Sequence, residues 1–330
     1  MSQDTTSSVP EVRSVKDQGG CVNIALTVCT CNRPKGLARV IESLAQLRVP
    51  DNCSVQLVVV DNSPDGNADQ TVEKLKQVFP WELSYIHETR SGISFARNAS
   101  LDYVVPKQID YMASVDDDMH VHPDWLFELF LVATNSGAAA VMGYLQFDYP
   151  GDRDWWVDEA YRLDKHAPAD GALLDQGSTC GCLIKLDCVR SLNLRFDEDL
   201  NKSGGEDTLF FAQIKVHGND IRYAAKALSF EVLGPERMRI RWWLKRWYRT
   251  GITTAVVSIA TNEKNRAGVL YDGFVRIVLG VAGTVVCLPW LLSRRTKGMR
   301  AVRMIFRGSG YVAAAIGIRY DEYAGGGRGE

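Results

Sequence analysis

Short apolar runs alternate, along the first half of the chain, with segments whose apolar residues recur at helical spacing. The apolar runs cover residues 22–29, 55–60, 83–87 and 111–115. The segments between them, which we predict to be helices, cover residues 37–44, 70–79 and 94–104. Repeated β-α-β units of this kind predict an α/β fold with a mostly parallel, doubly wound sheet and helices on both faces.

The middle of the chain has a different texture. Residues 138–147 and 179–186 are strand-like, and residues 207–216 are helical. Between the two strands, residues 149–176 are polar, irregular and contain tryptophan. Long loops on a rigid scaffold commonly carry substrate contacts, so we expect the 149–183 region to shape a substrate pocket.

The last third of the chain predicts helices of unusual composition. A helix rich in Trp and Arg is expected at 237–262, followed by apolar segments at 277–292 and 311–318. The segment 277–292 has sixteen uncharged residues and contains Pro289. It is short of the ~20 residues that span a bilayer comfortably, so we expect it to lie in, or dip into, a membrane leaflet. The alternative is a buried terminal helix of a soluble protein.

The net charge of −2 conceals a division between the two parts of the chain. Residues 1–235 carry a balance of −13, whereas residues 236–319 carry +13. An acidic body followed by a basic, aromatic-rich region suggests a metal-using catalytic domain attached to an anionic surface. We therefore divide the chain into a flexible N-terminal tail (1–20), a catalytic domain (21–235) and a basic, membrane-associated helical region (236–330).

The segment 237–249 mixes cations with aromatic residues, a composition that allows two interpretations. Nucleic-acid grooves use such residues for phosphate contacts and base stacking. Membrane interfaces use Trp and Tyr at the headgroup level beside Lys and Arg. The apolar segment that follows, with its own basic residues after position 293, favours a membrane leaflet and not a nucleic acid.

The cysteines and the missing fingerprints narrow the class of protein further. Eight cysteines occur in apolar segments, as Cys29-x-Cys31, Cys180-x-Cys182 and single residues, without the spacing of a zinc site. We read them as free thiols of a cytoplasmic protein. No GxGxxG follows the first strand and no P-loop is present, which removes the usual dinucleotide and NTPase fingerprints.

Three consecutive carboxylates, Asp116, Asp117 and Asp118, end the apolar strand that begins at Tyr111. Like charges this close repel one another, and burying them unpaired is costly. At the carboxyl end of a buried strand, the expected occupant is a hard divalent cation carrying phosphates. The alternative is a solvated turn without function.

Four loop signals are expected to converge at one edge of such a sheet. They are Asp61, the segment 91–98, the three aspartates and the segment 204–207. Each has a plain structural alternative, since Asp61-Asn62-Ser63-Pro64 is a good turn and acids at 206–207 suit a helix N-terminus.

In this order, the motifs resemble those of family 2 glycosyltransferases of the GT-A fold, and the resemblance runs from Val22 to about Arg249. It is greatest to exopolysaccharide β-glucosyltransferases of the succinoglycan type, which share a CTxxRP turn, an SIxxARN helix start, a DDD strand end and KSGGEDTxFF. The matching residues here are 29–34, 91–98, 116–118 and 202–211.

The resemblance implies a role for each motif in binding a nucleotide sugar. Asp61 would accept a hydrogen bond from uracil, and Asp116 or Asp117 would hold the ribose. Asp118 would ligate Mg²⁺ or Mn²⁺ bridging the two phosphates. Residues Thr30, Arg33, Gly92 and Arg97 would complete the nucleotide site, although Arg97 could equally anchor the acidic loop.

The same resemblance implies the catalytic groups and a departure from the family. Asp207, oriented by Glu206, would deprotonate the acceptor hydroxyl for in-line attack with inversion at C1. Many relatives place a His beside the Glu that follows the catalytic helix, whereas this chain has Phe230-Glu231. Asp118 would then be the main protein ligand of the metal.

The resemblance also implies UDP-glucose as the donor and, as the acceptor, a glycan linked to undecaprenyl diphosphate at the cytoplasmic face of the bacterial inner membrane. Arg246 and Arg249 would meet a diphosphate there. Two rival functions remain at this stage: a nucleotidyltransferase of related fold, and a non-catalytic scaffold docked on the membrane.

Overall fold

An eight-stranded sheet forms the centre of the molecule. The computed structural model describes residues 20–152, 154–161, 167–201, 203–293 and 297–318. The strands are β1 (Val22–Thr30), β2 (Cys53–Asp61), β3 (Glu82–His87), β4 (Tyr111–Asp116), β5 (Met119–Val121), β6 (Ala140–Asp148), β7 (Cys182–Lys185) and β8 (Ile221–Val232). They lie in the order β3-β2-β1-β4-β7-β6-β8-β5.

The parallel half of the sheet aligns the ends of its strands. Strand β1 pairs in parallel with β2 and β4, so that Thr30 lies opposite Asp61 and Cys29 opposite Asp116. Three chain segments therefore emerge at one edge of the sheet, as the alternation of apolar runs predicts. Parallel strands in a doubly wound sheet place ligands at this carboxyl edge.

The second half of the sheet is mixed. Strand β7 runs antiparallel to both β4 and β6, and the short β5 runs antiparallel to β8. The sequence pattern does not predict these antiparallel pairs, because the direction of a strand depends on partners far along the chain. The β5–β8 pairing places Met119 opposite Glu231 and so brings the end of β8 to the aspartates.

Helices cover both faces of the sheet. They are α1 (Pro34–Leu44), α2 (Asp69–Lys76), α3 (Ile93–Val104), α4 (Trp125–Ser136), α5 (Val157–Tyr161), α6 (Leu186–Leu192) and α7 (Glu206–Val216). One core cluster joins α1, α2 and α4 to the sheet, and a second joins α3, α6 and α7 to the opposite face. This confirms the doubly wound α/β arrangement.

The C-terminal region is helical, as expected, but its helices have different bounds. They are α8 (Ile240–Ala260), α9 (Arg266–Val286), α10 (Leu288–Leu292) and α11 (Lys297–Ala315). The apolar segment 277–292 is divided between α9 and α10, because Pro289 lies in the first turn of α10 and cannot continue α9. Among the described residues, α9 is the one helix that is long and apolar enough to cross a membrane, a property that buried core helices can share.

The helical region packs directly on the part of the chain that forms the sheet and its covering helices. Trp243 and Trp247 of α8 share a core cluster with Trp156 of the 149–176 region and with Met299 of α11. Arg303 of α11 forms a 2.9 Å ion pair with Glu159 of α5. The predicted tail 1–20 lies, apart from Gly20, outside the described residues, and the eight cysteines, all of them described, carry free thiols.

Candidate functional site

A cavity of about 1020 Å³ opens at the carboxyl edge of the parallel strands. Its wall includes Thr30, Arg33, Gly92, Arg97, Asp116, Asp117, Asp118, Glu206 and Asp207. Nine of the ten residues predicted for the site are thus brought together. The first turns of α3 and α7 and the first half of α8 also line the cavity.

Asp61 is the predicted residue that does not line the cavity. Its side chain is fully buried, and its two oxygens accept hydrogen bonds from the Ser63 amide (2.8 Å), the Ser63 hydroxyl (2.5 Å), the Ala68 amide (2.8 Å) and the Tyr85 hydroxyl (3.0 Å). The next residue, Asn62, reaches the cavity instead. In the structure, Asp61 therefore organises the loop after β2.

Asn62 joins that loop to the start of α3. Its amide group donates to the Glu88 and Arg90 carbonyls (2.8 and 2.7 Å), and its side-chain oxygen accepts from the Gly92 amide (2.7 Å). Gly92 has a φ of +133°, in the region that favours glycine. A Cβ there would lie 1.8 Å from the side-chain oxygen of Asn201, which explains the glycine in this motif.

The middle aspartate of the three is the most buried. Asp117 is 6% exposed and accepts hydrogen bonds from the Thr30 hydroxyl (2.9 Å) and the Arg33 guanidinium (2.8 Å). Burial raises the pKa of Asp117 to about 6, against the opposing effect of Arg33. Thr30 and Arg33 therefore act, in this structure, as the partners of a buried carboxylate.

The outer two aspartates face the cavity and differ in their partners. The Asp118 carboxylate accepts from Arg33 (3.2 Å) and from Arg237 (2.9 Å). Asp116 lies 3.5 Å from the Arg97 guanidinium. Burial raises the pKa of Asp116, partly offset by Arg97, and the neighbouring Asp118 raises it further. The three carboxylates are thus held together by three arginines.

Arg97 connects the acidic strand to the first turn of α7. Its guanidinium donates to the Glu206 carboxylate and reaches Asp116 from the same position. Burial raises the pKa of Glu206 to about 7, although the cation opposes this shift. The second Glu206 oxygen is buried without a hydrogen-bond partner among the described residues. Of the two roles that the sequence suggested for Arg97, these contacts correspond to the anchoring of the acidic loop.

Asp207 follows Glu206 at the start of α7 and lines the cavity. One of its oxygens accepts from the Thr208 amide (2.6 Å) and the Thr208 hydroxyl (3.2 Å). The preceding Gly204 and Gly205 have φ values of +72° and +96°. These conformations turn the chain sharply into α7, so that the carboxylate stands at the helix N-terminus, where the dipole stabilises its negative charge.

Sequence reasoning missed two contributions to the site. Arg237, which the sequence suggested only as part of a basic tail, bridges Asp118 and Glu231 inside the cavity wall. Asn201 ties the two glycine-bearing loops together, since its amide donates to the Ser91 carbonyl (2.8 Å) and its oxygen accepts from the Ser94 amide (3.2 Å). An asparagine four residues before Gly205 carries no periodic signal that would have identified it.

Helix α8 contributes cations and aromatic side chains to the same cavity. Trp242, Trp243, Arg246 and Arg249 lie in its wall. Burial lowers the pKa of Arg246, and the negative charge of Asp207 is the largest influence that opposes this shift. The basic, aromatic-rich segment is therefore part of the site as well as of the C-terminal region.

Position 230 faces away from the cavity. Phe230 stacks on His120 with ring centroids 4.8 Å apart, whereas its neighbour Glu231 lines the cavity, because successive strand residues point to opposite faces. The missing His at position 230 thus removes no side chain from the cavity in this structure.

The acidic residues of the cavity suit a metal ion that takes most of its ligands from a bound diphosphate and not from the protein. Among the described residues, no group of three His, Cys, Asp or Glu side chains is arranged to hold an ion. Asp116 and Asp118 both face the cavity, and carboxylate oxygens are the ligands that Mg²⁺ accepts beside phosphates. The residues therefore fit an ion that binds together with a diphosphate.

The chain is similar to known glycosyltransferases in sequence and in structure. The family described as "Glycosyl transferase family 2" matches residues 26–186. The succinoglycan biosynthesis protein ExoM of Rhizobium meliloti (strain 1021) is 31% identical over 306 residues, which cover 92% of this chain and 96% of ExoM.

Among solved structures, S. aureus TarS 1–349 has a TM-score of 0.50 at 15% identity, covering 86% of this chain and 90% of that one. This chain spans 55% of the longer TarS chain. GalNAc-T7, crystallised with UDP, GalNAc and Mn²⁺, has a TM-score of 0.52 at 13% identity, over 66% of this chain and 45% of that chain. These two likenesses establish the GT-A fold, and the extent of identity to ExoM shows that the chain belongs to glycosyl transferase family 2.

Proposed function

We propose that this glycosyltransferase moves a hexosyl group, with inversion, from a UDP-sugar to a lipid-linked glycan in exopolysaccharide biosynthesis. UDP-glucose is the proposed donor. The observation that carries the proposal is the Arg97–Glu206 ion pair, which holds Asp207 in the same cavity as Asp116, Asp117 and Asp118. The proposed general base and the proposed nucleotide-binding residues therefore line the same cavity.

The donor would lie along the ends of β1, β2 and β4. Asp116 would hold the ribose, because its carboxylate faces the cavity, while the buried Asp117 fixes Thr30 and Arg33. Arg33 and Arg237 would turn from Asp118 towards the diphosphate charges. A uracil contact from Asp61 would require one of its four present donors to be displaced, so we assign Asp61 the role of fixing Asn62 beside the base.

Mg²⁺ or Mn²⁺ would be held by Asp118, with Asp116 nearby, and would act as a Lewis acid for the leaving diphosphate. Asp207 would accept the proton of the acceptor hydroxyl as that oxygen attacks C1, and the UDP leaves on the opposite face. General-base assistance of this kind is typically worth ~10²–10⁴-fold in rate. Arg97 holds Glu206 by an ion pair, and Glu206 would thereby position the adjacent Asp207.

An acceptor linked to undecaprenyl diphosphate is proposed from the similarity to a succinoglycan biosynthesis protein and from the cavity wall of α8, where Arg246 and Arg249 face the site. Such a lipid would bring the enzyme to the cytoplasmic face of the inner membrane. The basic C-terminal region and the apolar α9 support this location.

The variant Asp207→Asn tests the proposal, with Asp170→Asn, whose side chain lies outside the cavity, as a matched control. We expect Asp207→Asn to bind UDP and Mn²⁺ in calorimetry as the unmodified enzyme does, and to lose at least ~10²-fold in transfer rate. Near-normal transfer by Asp207→Asn would remove it as the base. The absence of metal-dependent UDP-sugar turnover in the unmodified enzyme, across a panel of donors, would favour the scaffold alternative.

A further inference from the structure

The outward side of α9 is a continuous apolar surface, which we call the α9 face. Its large residues are 42–70% exposed and comprise Leu270, Tyr271, Phe274, Val278, Leu279, Val281, Val285 and Val286. The two charged residues between 267 and 286 are engaged elsewhere, since Asp272 pairs with Lys264 and Arg276 lies over the Tyr311 ring. The helix has 21 residues, so this surface is about 32 Å long. Soluble monomers rarely expose a contiguous apolar surface of this extent, and such surfaces mark interaction sites.

The opposite side of α9 is fixed to α11 by close glycine contacts. A Cβ on Gly273 would lie 2.9 Å from the Gly308 carbonyl oxygen, and one on Gly280 would lie 2.9 Å from the Ile305 amide nitrogen. Contacts that advance along α9 while they recede along α11 show that the two helices are antiparallel. Because the two backbones are in contact along their length, α9 cannot enter a membrane without moving α11 with it.

Helix α11 is in turn tied to polar parts of the molecule. Arg303 pairs with the buried Glu159 of the catalytic domain at 2.9 Å, and Arg307 donates to Thr254 of α8 at 3.4 Å. A Cβ on Gly310 would lie 2.1 Å from the Tyr248 carbonyl oxygen, so α11 and α8 are also in backbone contact. An upright, spanning α9 would draw these arginines into the hydrocarbon, where charged side chains are costly.

Cations lie on both sides of α9 in the sequence. Lys264 precedes the helix and Arg266 is its first residue, whereas Arg294, Arg295, Lys297 and Arg300 follow it. A spanning helix collects its cations mainly on one side of the membrane. Cations at both ends suit a helix whose two ends meet the same anionic leaflet.

We propose that α9 lies in the plane of an anionic phospholipid bilayer, with the α9 face at the boundary between headgroups and acyl chains. This inference rests on the membrane location in the proposed function and specifies its geometry. Helix α11 packs against both α9 and α8, and packed helices lie ~8–10 Å apart. The cavity wall of α8 is thereby held within about two helix spacings of the surface, within reach of a sugar on a lipid headgroup.

Flotation with vesicles tests the surface itself. The full chain is mixed with vesicles of phosphatidylcholine and phosphatidylglycerol, or of phosphatidylcholine alone. We expect binding to the anionic vesicles, and a loss of roughly tenfold or more in the double variant Phe274→Glu/Val281→Glu, because two charges would enter the apolar boundary. The matched control is Val78→Glu/Val216→Glu, which changes two equally exposed valines of the catalytic domain and should float normally.

Labelling of the helix ends tests the orientation. Thr261→Cys and Ser293→Cys, on opposite sides of α9, are treated on vesicle-bound protein with a membrane-impermeant maleimide, and the modified positions are located by mass spectrometry. An in-plane helix leaves both cysteines labelled from outside. Labelling of only one of them would show a spanning helix and overturn the proposal.

Two further outcomes would also overturn it. Normal flotation of Phe274→Glu/Val281→Glu would mean that the α9 face does not contact lipid. A dimer of the unmodified chain, in the absence of vesicles, that this variant converts to a monomer would mean that a second copy covers the face. UDP binding, measured in each variant, separates these results from a failure of the proposed function, since it should stay unchanged throughout.

Discussion

Removal of Arg97 should destabilise the protein far more than removal of both members of its ion pair. The Arg97 and Glu206 side chains are only 11% and 5% exposed. The Arg97 guanidinium also forms an ion pair with the Asp116 carboxylate, at 3.5 Å. Breaking a buried pair by deleting one partner typically costs ~3–5 kcal/mol, because the remaining charge has no compensation. We therefore expect Arg97→Met to lower the stability by about this amount, and the double variant Arg97→Met/Glu206→Gln by less.

The pH dependence of that cost follows from the pKa of Glu206. Burial already holds this pKa at about 7, above the ordinary value of 4.5, and loss of the cation would raise it further. An acid with a raised pKa keeps its proton in the folded state while the unfolded chain has lost it, so stability falls as pH rises from 4.5 towards the folded pKa. Each pH unit in that window costs up to ~1.4 kcal/mol. Between pH 6 and pH 8 the unmodified protein, with its pKa of about 7, should lose ~1.4 kcal/mol, and Arg97→Met up to ~3 kcal/mol. The cost of the substitution should therefore be up to ~1.4 kcal/mol greater at pH 8 than at pH 6.

Urea unfolding at pH 6 and pH 8, followed by tryptophan fluorescence, measures both effects. Arg195→Met provides the control, because Arg195 pairs with Asp102 at the surface, where such pairs contribute ~0–1 kcal/mol. Equal costs for the single and double variants, or a cost of Arg97→Met that does not change with pH, would refute the reasoning.

Three further outcomes are expected. In the unmodified protein, stability should fall between pH 4.5 and 7 as the unfolded chain releases the proton that Glu206 retains, and Glu206→Gln should reduce this slope in urea titrations. Gly92→Ala should lower the free energy of unfolding, measured by thermal melting, by ~1–3 kcal/mol, because the φ of +133° suits glycine and the new Cβ would meet Asn201. The control Gly151→Ala, whose Cβ would enter open space, should be nearly neutral. Asp118→Ala should abolish the dependence of UDP affinity on Mn²⁺ in calorimetry, and an unchanged dependence would exclude Asp118 as a ligand.

The parallel half of the fold was predictable because its signals are local. Each buried strand is a continuous apolar run that ends in a polar loop, and the carboxyl ends of parallel strands must meet at one edge. The residues Thr30, Asp116 and Asp207 therefore converge as expected. The strand-like pattern of residues 179–186 predicted β7, but not its antiparallel direction, because that direction depends on partners far along the chain. Strand β5 was not predicted, since three residues carry no measurable period.

Asp61 illustrates a limit of motif reasoning within the site. Its position at the end of β2 is as predicted, yet the loop that follows supplies three donors to its carboxylate, and Tyr85 of β3 supplies a fourth. A motif identifies which residue stands at a strand end but not which way its side chain turns. The turn chemistry of Ser63, which donates both its amide and its hydroxyl, decides that direction here.

The basic region shows how a charge pattern can hide a site. Composition alone divides the chain after Pro235, where the balance changes from acidic to basic. The structure places the first cation of the basic region, Arg237, on Asp118 and Glu231, so the acidic strand and the helical region are electrostatic partners. Binding of a diphosphate and a cation at Asp118 would compete directly for that contact. Arg237 lies in the short turn before α8, and its carbonyl accepts a hydrogen bond from Trp243 of that helix. Such competition would therefore act on the helix that carries Arg246 into the cavity and packs against α11. The charge division along the sequence therefore corresponds, in the structure, to an electrostatic contact between the acidic end of β4 and the start of the basic helical region.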